Sequence, residues 1–360
     1  MEPVIAVGIK YPDITPQQLK SSMEELSCLI KTVGGTVVEN IIQKRQKPNP
    51  AFLIGKGKAE EISSIIQQKN IKTVIFNEEL NPTQQHNLED VIPAKIIDRT
   101  RLILDIFAKR ARTKEGSLQV ELAQLNYYLP RLTKKGISLD NQVGGIGTRG
   151  PGERKLEYDR RKIRDRISKL EKEIDNLKVI REIQRTKRID SGLPVISLIG
   201  YTNVGKSTLL NTLIEFTKQN TKKVYADDKL FATLDPTVRR VILPSGRTVL
   251  FVDTVGFIRK LPATLINAFR ATLEEINKSK ILIHLIDITS HNYEFQENIV
   301  IQTLKEIKID NIPVIKVYNK CDLIDEVQYN KFKSNNTLLI SAKTGKGIKE
   351  LLDYIDCFQQ

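Results

Sequence analysis

The residues best suited to chemistry stand in one stretch, Gly200-Tyr201-Thr202-Asn203-Val204-Gly205-Lys206-Ser207. Two glycines, the second followed at once by Lys and Ser, give the spacing GxxxxGKS, and that spacing serves phosphate binding. Gly200 and Gly205 let the backbone curl until its N–H groups point into one concavity, which cradles phosphate oxygens. Lys206 can then reach the β- and γ-phosphates, and the Ser207 hydroxyl can ligate Mg²⁺. The loop works only between a strand and a helix, whose N-terminus adds its positive end. Val195-Ile196-Ser197-Leu198-Ile199 reads as that strand and Thr208–Ile214 as that helix.

Four further stretches follow in order. Phe231-Ala232-Thr233-Leu234-Asp235-Pro236-Thr237 offers a threonine as a second Mg²⁺ ligand when γ-phosphate is present, and Thr233 and Thr237 both qualify by position. The strand Thr248–Val252 ends in Asp253-Thr254-Val255-Gly256, placing Asp253 to hold Mg²⁺ through water and the Gly256 N–H to meet the γ-phosphate. The strand Val314–Tyr318 ends in Asn319-Lys320-Cys321-Asp322. A carboxylate there accepts hydrogen bonds from guanine N1–H and N2–H₂, which adenine lacks, and sites of that kind discriminate by ~10⁴–10⁵ at best. Leu338–Ile340 then leads to Ser341-Ala342-Lys343, whose backbone can meet guanine O6. Together these motifs predict a GTPase rather than a generic ATPase.

The elements that must position these residues fall into three expected parts. Residues 1–112 alternate short β-branched runs (Val4–Ile9, Thr36–Ile42, Thr73–Phe76, Ala94–Ile97) with helical patterns, which predicts a small parallel α/β domain. Gly55-Lys56-Gly57-Lys58 lies at one of its strand-to-helix turns. It reads either as plain turn chemistry or as a contact to RNA phosphate or nucleotide. Residues 113–190 change period: Leu118, Leu122, Leu125, Leu129 and Leu132 form one stripe, and Ile163, Ile167, Leu170, Ile174 and Leu177 another. Two such stripes flanking a loop predict an antiparallel helical hairpin, with Pro130 ending its first helix. The loop between them, Gly144–Glu153, carries five glycines and Arg149, and is expected to be a mobile tip unless it is only a linker. Residues 191–360 make the nucleotide domain.

The chain has 360 residues and a formal net charge of +14, which favours a polyanionic partner, nucleic acid or an anionic membrane. Half of that excess lies in one helix: Arg154–Arg188 holds 14 Lys/Arg against 7 Asp/Glu. Cys28, Cys321 and Cys357 are far apart, which argues against disulfides and a zinc site. No apolar run approaches the ~20 residues of a membrane span, and Met1–Lys10 does not read as a signal peptide. A cytoplasmic monomer without stable membrane insertion is expected, with a membrane-associated fraction left open.

The α/β domain with Leu53-Ile54-Gly55-Lys56-Gly57-Lys58, the hairpin, its tip and the C-terminal motifs together resemble the HflX family of translation-factor-type P-loop GTPases. The resemblance spans nearly the whole chain; the tip and Phe231–Asp235 are its most specific parts. It implies a Ras-like GTPase domain and hydrolysis of GTP to GDP. It also implies binding to the large ribosomal subunit and its rRNA, and splitting of ribosomes under stress. It maps the Mg²⁺ ligands onto Ser207 and Thr233, and makes Asn203 the residue that helps hold a K⁺ ion. Some relatives carry a further C-terminal domain, whereas this chain ends at Gln360. One departure stands out: many GTPases place a Gln after the glycine of the third motif to orient water, and here that position is Phe257. Two rival functions are a GTPase switch at a membrane or signalling complex, and an RNA-remodelling ATPase working through Gly55–Lys58.

Overall fold

The computed structural model describes the chain apart from residues 133–150, 191, 218–229, 232–235, 260–275, 310, 334–336 and 359–360. Thr233, with its neighbours Ala232, Leu234 and Asp235, therefore lies outside the described residues, as does most of the Gly144–Glu153 tip. The chain divides into two compact units, residues 1–109 with 117–176, and residues 110–116 with 177–360.

The first unit carries a four-stranded sheet of β1 (Glu2–Lys10), β2 (Gly35–Lys44), β3 (Thr73–Phe76) and β4 (Lys95–Asp98) in the order β2-β1-β3-β4. All pairings are parallel. Helices α1 (Pro16–Val33), α2 (Lys56–Lys69), α3 (Pro82–Val91) and α4 (Arg99–Arg110) connect and follow the strands. Two of these helices start on local capping chemistry. Thr15 and Asn81 each form a reciprocal capping box with the glutamine three residues on, followed by proline in the first turn. Gly34, at φ +98°, ends α1. Ile5, Val7, Ile54, Ile62, Val74 and Phe76 meet in one buried core.

Gly55-Lys56-Gly57-Lys58 opens α2, and two of its polar groups are engaged within the protein. The Gly55 N–H donates to Gln43 Oε1 at 2.8 Å, and Lys58 pairs with Glu61 at 2.6 Å.

Helix α5 (Lys114–Tyr128) ends in a 3-10 turn, Leu129–Arg131, at the expected Pro130. Helix α6 spans Pro151–Asp190. Arg160 donates to the Leu132 carbonyl and Arg166 pairs with Glu121, so the second helix advances as the first recedes, an antiparallel pairing. In α6 the expected stripe is the buried one, with Leu170 and Ile174 at its centre. In α5 the buried set is Gly116, Val120, Ala123 and Tyr127 together with Leu118, while Leu122 and Leu125 are half-buried. The leucine stripe marks only part of what α5 buries, because this helix is covered on more than one side.

The second unit holds a six-stranded sheet in the order β10-β9-β8-β5-β7-β6. Its strands are β5 (Val195–Gly200), β6 (Thr237–Ile242), β7 (Thr248–Asp253), β8 (Ile281–Asp287), β9 (Val314–Asn319) and β10 (Leu338–Leu339). Only β6 runs antiparallel to its neighbour. Helices α7 (Lys206–Phe216), α8 (Tyr293–Glu306), α9 (Glu326–Phe332) and α10 (Ile348–Phe358) complete its described part. Central β5 and β8 are buried almost throughout, as parallel strands covered on both faces must be. The motif loops leave the carboxyl ends of β5, β7, β9 and β10, where open α/β sheets bind ligands.

Candidate nucleotide site

The Gly200–Ser207 loop joins β5 to α7 as its spacing requires. Gly200 has φ +149°, and a Cβ there would stand 2.4 Å from the Leu285 carbonyl oxygen, so no other residue fits. Gly205 (φ +95°) precedes the first turn of α7, where a Cβ would lie 2.5 Å from Asn319 Nδ2. Asn203 takes φ +62° without being glycine and is exposed at the tip of the loop. Val204 is buried beneath it.

Lys206 is buried, and its ammonium donates to the carbonyls of Gly200 (3.2 Å) and Tyr201 (2.8 Å). Burial lowers its pKa to about 8, partly offset by the Asp253 carboxylate. His284, on the neighbouring strand β8, is pushed down to about 4 by burial and by the Lys316 and Lys206 charges, so it is neutral near pH 7. The Ser207 hydroxyl donates to Asp253 Oδ2 at 2.6 Å. A hydroxyl and a carboxylate from two different motifs thus come together, and such hard oxygen donors suit Mg²⁺. The buried Thr202 Oγ1 has no hydrogen-bond partner among the described residues, which fits a loop built to receive a ligand.

The third motif lies directly against the first. The Thr202 N–H donates to the Phe257 carbonyl (2.8 Å), and the Phe257 N–H to the Gly200 carbonyl (3.0 Å). Gly256 is forced to be glycine by this approach: a Cβ would sit 2.7 Å from Thr202 Cα and 3.0 Å from Lys206 Nζ. The Phe257 ring is buried. Thr254 serves the sheet, its hydroxyl donating to the Leu198 carbonyl, and Val255 is half-buried beside it. Tyr201 receives the Arg259 N–H on its hydroxyl (2.9 Å). Phe231, at φ +57°, is buried and stands beside the undescribed 232–235.

The guanine-type motif is fastened to the phosphate loop. Asn319 donates from Nδ2 to the Val204 carbonyl and accepts from the Ala342 N–H on Oδ1, both at 2.8 Å. Lys320 Nζ donates to the Asn203 carbonyl at 3.0 Å. Cys321 is buried, and Asp322 is exposed, free to face a base. Ser341 is buried and caps its own turn by accepting from the Thr344 N–H, while Lys343 is exposed. Sequence reading missed Gly347. It has φ +75°, a Cβ there would lie 2.3 Å from the Leu339 carbonyl oxygen, and the closely spaced Gly345 and Gly347 were the available signal.

Comparison with known proteins decides the family. Three family models match in order: GTP-binding GTPase N-terminal over 20–108, GTP-binding GTPase Middle Region over 110–188, and 50S ribosome-binding GTPase over 195–320. GTPase HflX of Caldanaerobacter subterraneus subsp. tengcongensis is 48% identical over 343 residues, covering 95% of this chain and 78% of that protein. This chain belongs to the HflX family of GTPases. GTPase HflX of Lacrimispora saccharolytica is 45% identical over 99% of this chain and 82% of its own length. Among solved structures, SsGBP in complex with GDP matches 99% of this chain and 98% of its own, at 27% identity and a TM-score of 0.51. The HflX-type chain is accordingly a GTP-binding, GTP-hydrolysing enzyme with a P-loop GTPase domain, as its motifs predicted. No described helix is long and apolar enough to cross a membrane.

Proposed function

We propose that this GTPase binds the large ribosomal subunit and uses GTP to dissociate stalled or stress-arrested ribosomes in the cytoplasm, acting as a monomer. The observation that carries the reading is the match of 195–320 to the 50S ribosome-binding GTPase family in a chain whose α6 carries exposed cations. Lys155, Arg161, Lys162, Arg164 and Lys169 are all exposed there. Such a helix suits rRNA phosphates, whose contacts release counterions and weaken with salt. In this reading residues 1–112, 113–190 and 191–360 act as N-terminal domain, hairpin and GTPase domain. Arg149, Arg154 and Lys155 would meet rRNA at the hairpin tip.

Within the GTPase domain, Gly200–Ser207 would cradle the phosphates with Lys206 on the β- and γ-phosphates. Ser207 and Thr233 would hold Mg²⁺, Asp253 would do so through water, and the Gly256 N–H would meet the γ-phosphate. The metal, when bound, neutralises charge developing on the phosphates. Asn319, Lys320, Cys321 and Asp322, with Ser341, Ala342 and Lys343, would surround guanine. Asn203 would help hold K⁺. Phe257 cannot align water by hydrogen bonding, and its ring is buried. Alignment therefore falls to ordered switches or to the ribosome, so large subunits should accelerate hydrolysis.

Sucrose-gradient profiling with GTP, ATP and a non-hydrolysable GTP analogue tests this. GTP-dependent conversion of stalled 70S particles into subunits, lost when Gly144–Glu153 is shortened, is the expected result. Splitting at the normal rate without that loop makes the tip a linker, and absence of subunit binding at any nucleotide state overturns the reading.

A further inference from the structure

The base-reading loop and the phosphate loop are joined at their exposed ends by one lysine. Lys320 Nζ reaches the Asn203 carbonyl at 3.0 Å and Asp287 Oδ2 at 2.6 Å. Both backbones in that contact are unusual. Asn203 and Lys320 carry side chains yet take φ +62° and φ +69°, a conformation that persists only where the surroundings hold it.

Asp287 is well placed to do the holding. It ends β8, where it stands opposite Asn319 in the parallel register. Its Oδ1 accepts from both the N–H (3.0 Å) and the hydroxyl (2.6 Å) of Thr289. One carboxylate oxygen is thus locked in its own turn, which leaves the other aimed at the ammonium. The Asp287 side chain is 15% exposed and that of Lys320 26%, so solvent screens this pair less than one lying open on the surface.

We propose that Asp287 is a positioning residue for nucleotide retention. It holds the Lys320 ammonium on the Asn203 carbonyl, and so fixes the spacing between the loop that reads guanine and the loop that cradles phosphate. This inference rests on the assignment of those two loops as the guanine-nucleotide site. A nucleotide spans both loops, so their spacing bears on GTP and GDP alike. It does not bear on bond breaking at the γ-phosphate, which lies at the Lys206 end. Loss of Asp287 should therefore raise KM and leave kcat nearly unchanged.

The substitution Asp287→Asn tests this, because the amide oxygen can still accept from Thr289 while the charge is lost. Release of a fluorescent GDP analogue, KM and kcat are measured in the wild type, Asp287→Asn, Lys320→Met and the double variant. Denaturation midpoints of all four are recorded alongside. We expect GDP release to quicken about tenfold in Asp287→Asn, the scale of losing one hydrogen bond between charged groups. In the Lys320→Met background the same change should add nothing, and Asp287→Glu should restore part of the retention. Release within about twofold of wild type in Asp287→Asn overturns the inference. So does an equal effect in both backgrounds, which would mark Asp287 as only a support for its own turn. Asp322→Asn separates the two levels of the argument. If it leaves guanine binding intact, the assignment of the loops fails. If it abolishes binding while Asp287→Asn releases GDP normally, only the role of Asp287 fails.

Discussion

Replacing Asn319 with alanine should loosen the phosphate loop and the Ser341–Lys343 loop in a single step. Asn319 is 2% exposed, and its amide makes one 2.8 Å bond to the Val204 carbonyl and another from the Ala342 N–H. Both partners are themselves buried. Truncation leaves each without its partner, and an orphaned buried group costs about 1–3 kcal/mol. The sum is about 2–6 kcal/mol, reduced if a water enters the space left beside Gly205 and bonds one of the two groups. A loss of about 3 kcal/mol is the working value. Both bonds are internal to the protein, so the loss should fall on folding stability first and on nucleotide affinity through a less ordered loop. The assay is urea denaturation with and without GDP, following the transition that GDP shifts. Its midpoint should fall while its slope stays constant. Asn319→Asp should do no better, since it keeps the acceptor for Ala342 but turns an oxygen toward the Val204 carbonyl. A GDP-sensitive transition in Asn319→Ala within about 0.5 kcal/mol of wild type would refute the stapling role.

The remaining predictions concern the same loops. Lys206 is held at about 8 against its ordinary 10.5. Between those two pH values the unfolded chain binds the extra proton, so stability should rise with pH across that window; below it the buried charge penalises the fold in full. A phosphate set against this ammonium favours its charged form, so GDP binding near pH 9 should take up a proton. Calorimetry in buffers of different ionisation enthalpy reads that directly, and zero uptake would contradict it. Gly256→Ala should push the third motif off Thr202 and Lys206 Nζ, lowering GTP turnover at least about tenfold while leaving the protein folded; wild-type turnover would show that the close approach is not needed. Asp322→Asn should weaken GTP and GDP binding by several kcal/mol, because an amide donor replaces a charged acceptor. Affinity within about twofold of wild type would remove Asp322 from base recognition.

Much of this arrangement was legible because its signals are local. Pro130 at the end of α5 and the strand-to-helix context of Gly200–Ser207 each depend on residues close in sequence. The motif order set Ser207 and Asp253 at the carboxyl ends of two strands, and in the structure the Ser207 hydroxyl donates to Asp253 Oδ2. What escaped was decided across strands. The Asp287–Lys320 pair joins residues 33 apart in sequence through the β8–β9 register, and no periodicity announces it. The buried face of α5 escaped too: a heptad stripe marks one line along a helix, and Val120, Ala123 and Tyr127, all buried, lie off it.

The contact between the first and third motifs has a consequence for how GTP is sensed. A Cβ on Gly256 would stand 3.0 Å from Lys206 Nζ, so only glycine leaves room between this backbone and the lysine for a group that the lysine holds. On the reading proposed above, that group is the γ-phosphate. Phe257, next in sequence, is hydrogen-bonded on both sides of its peptide to Gly200 and Thr202, so it follows the phosphate loop. Arg259, two residues on, is bonded through its N–H to the Tyr201 hydroxyl, and its guanidinium lies 4.3 Å from the Phe295 ring centroid on α8. A shift at Gly256 that breaks the Phe257 bonds to Gly200 and Thr202 acts two residues from Arg259, whose own bond to Tyr201 joins it to the same loop. With Phe in place of the usual glutamine, this stretch lacks the side chain that elsewhere orients water. It keeps a continuous set of contacts from the phosphate loop to the surface of α8, which suits reporting the nucleotide to a partner.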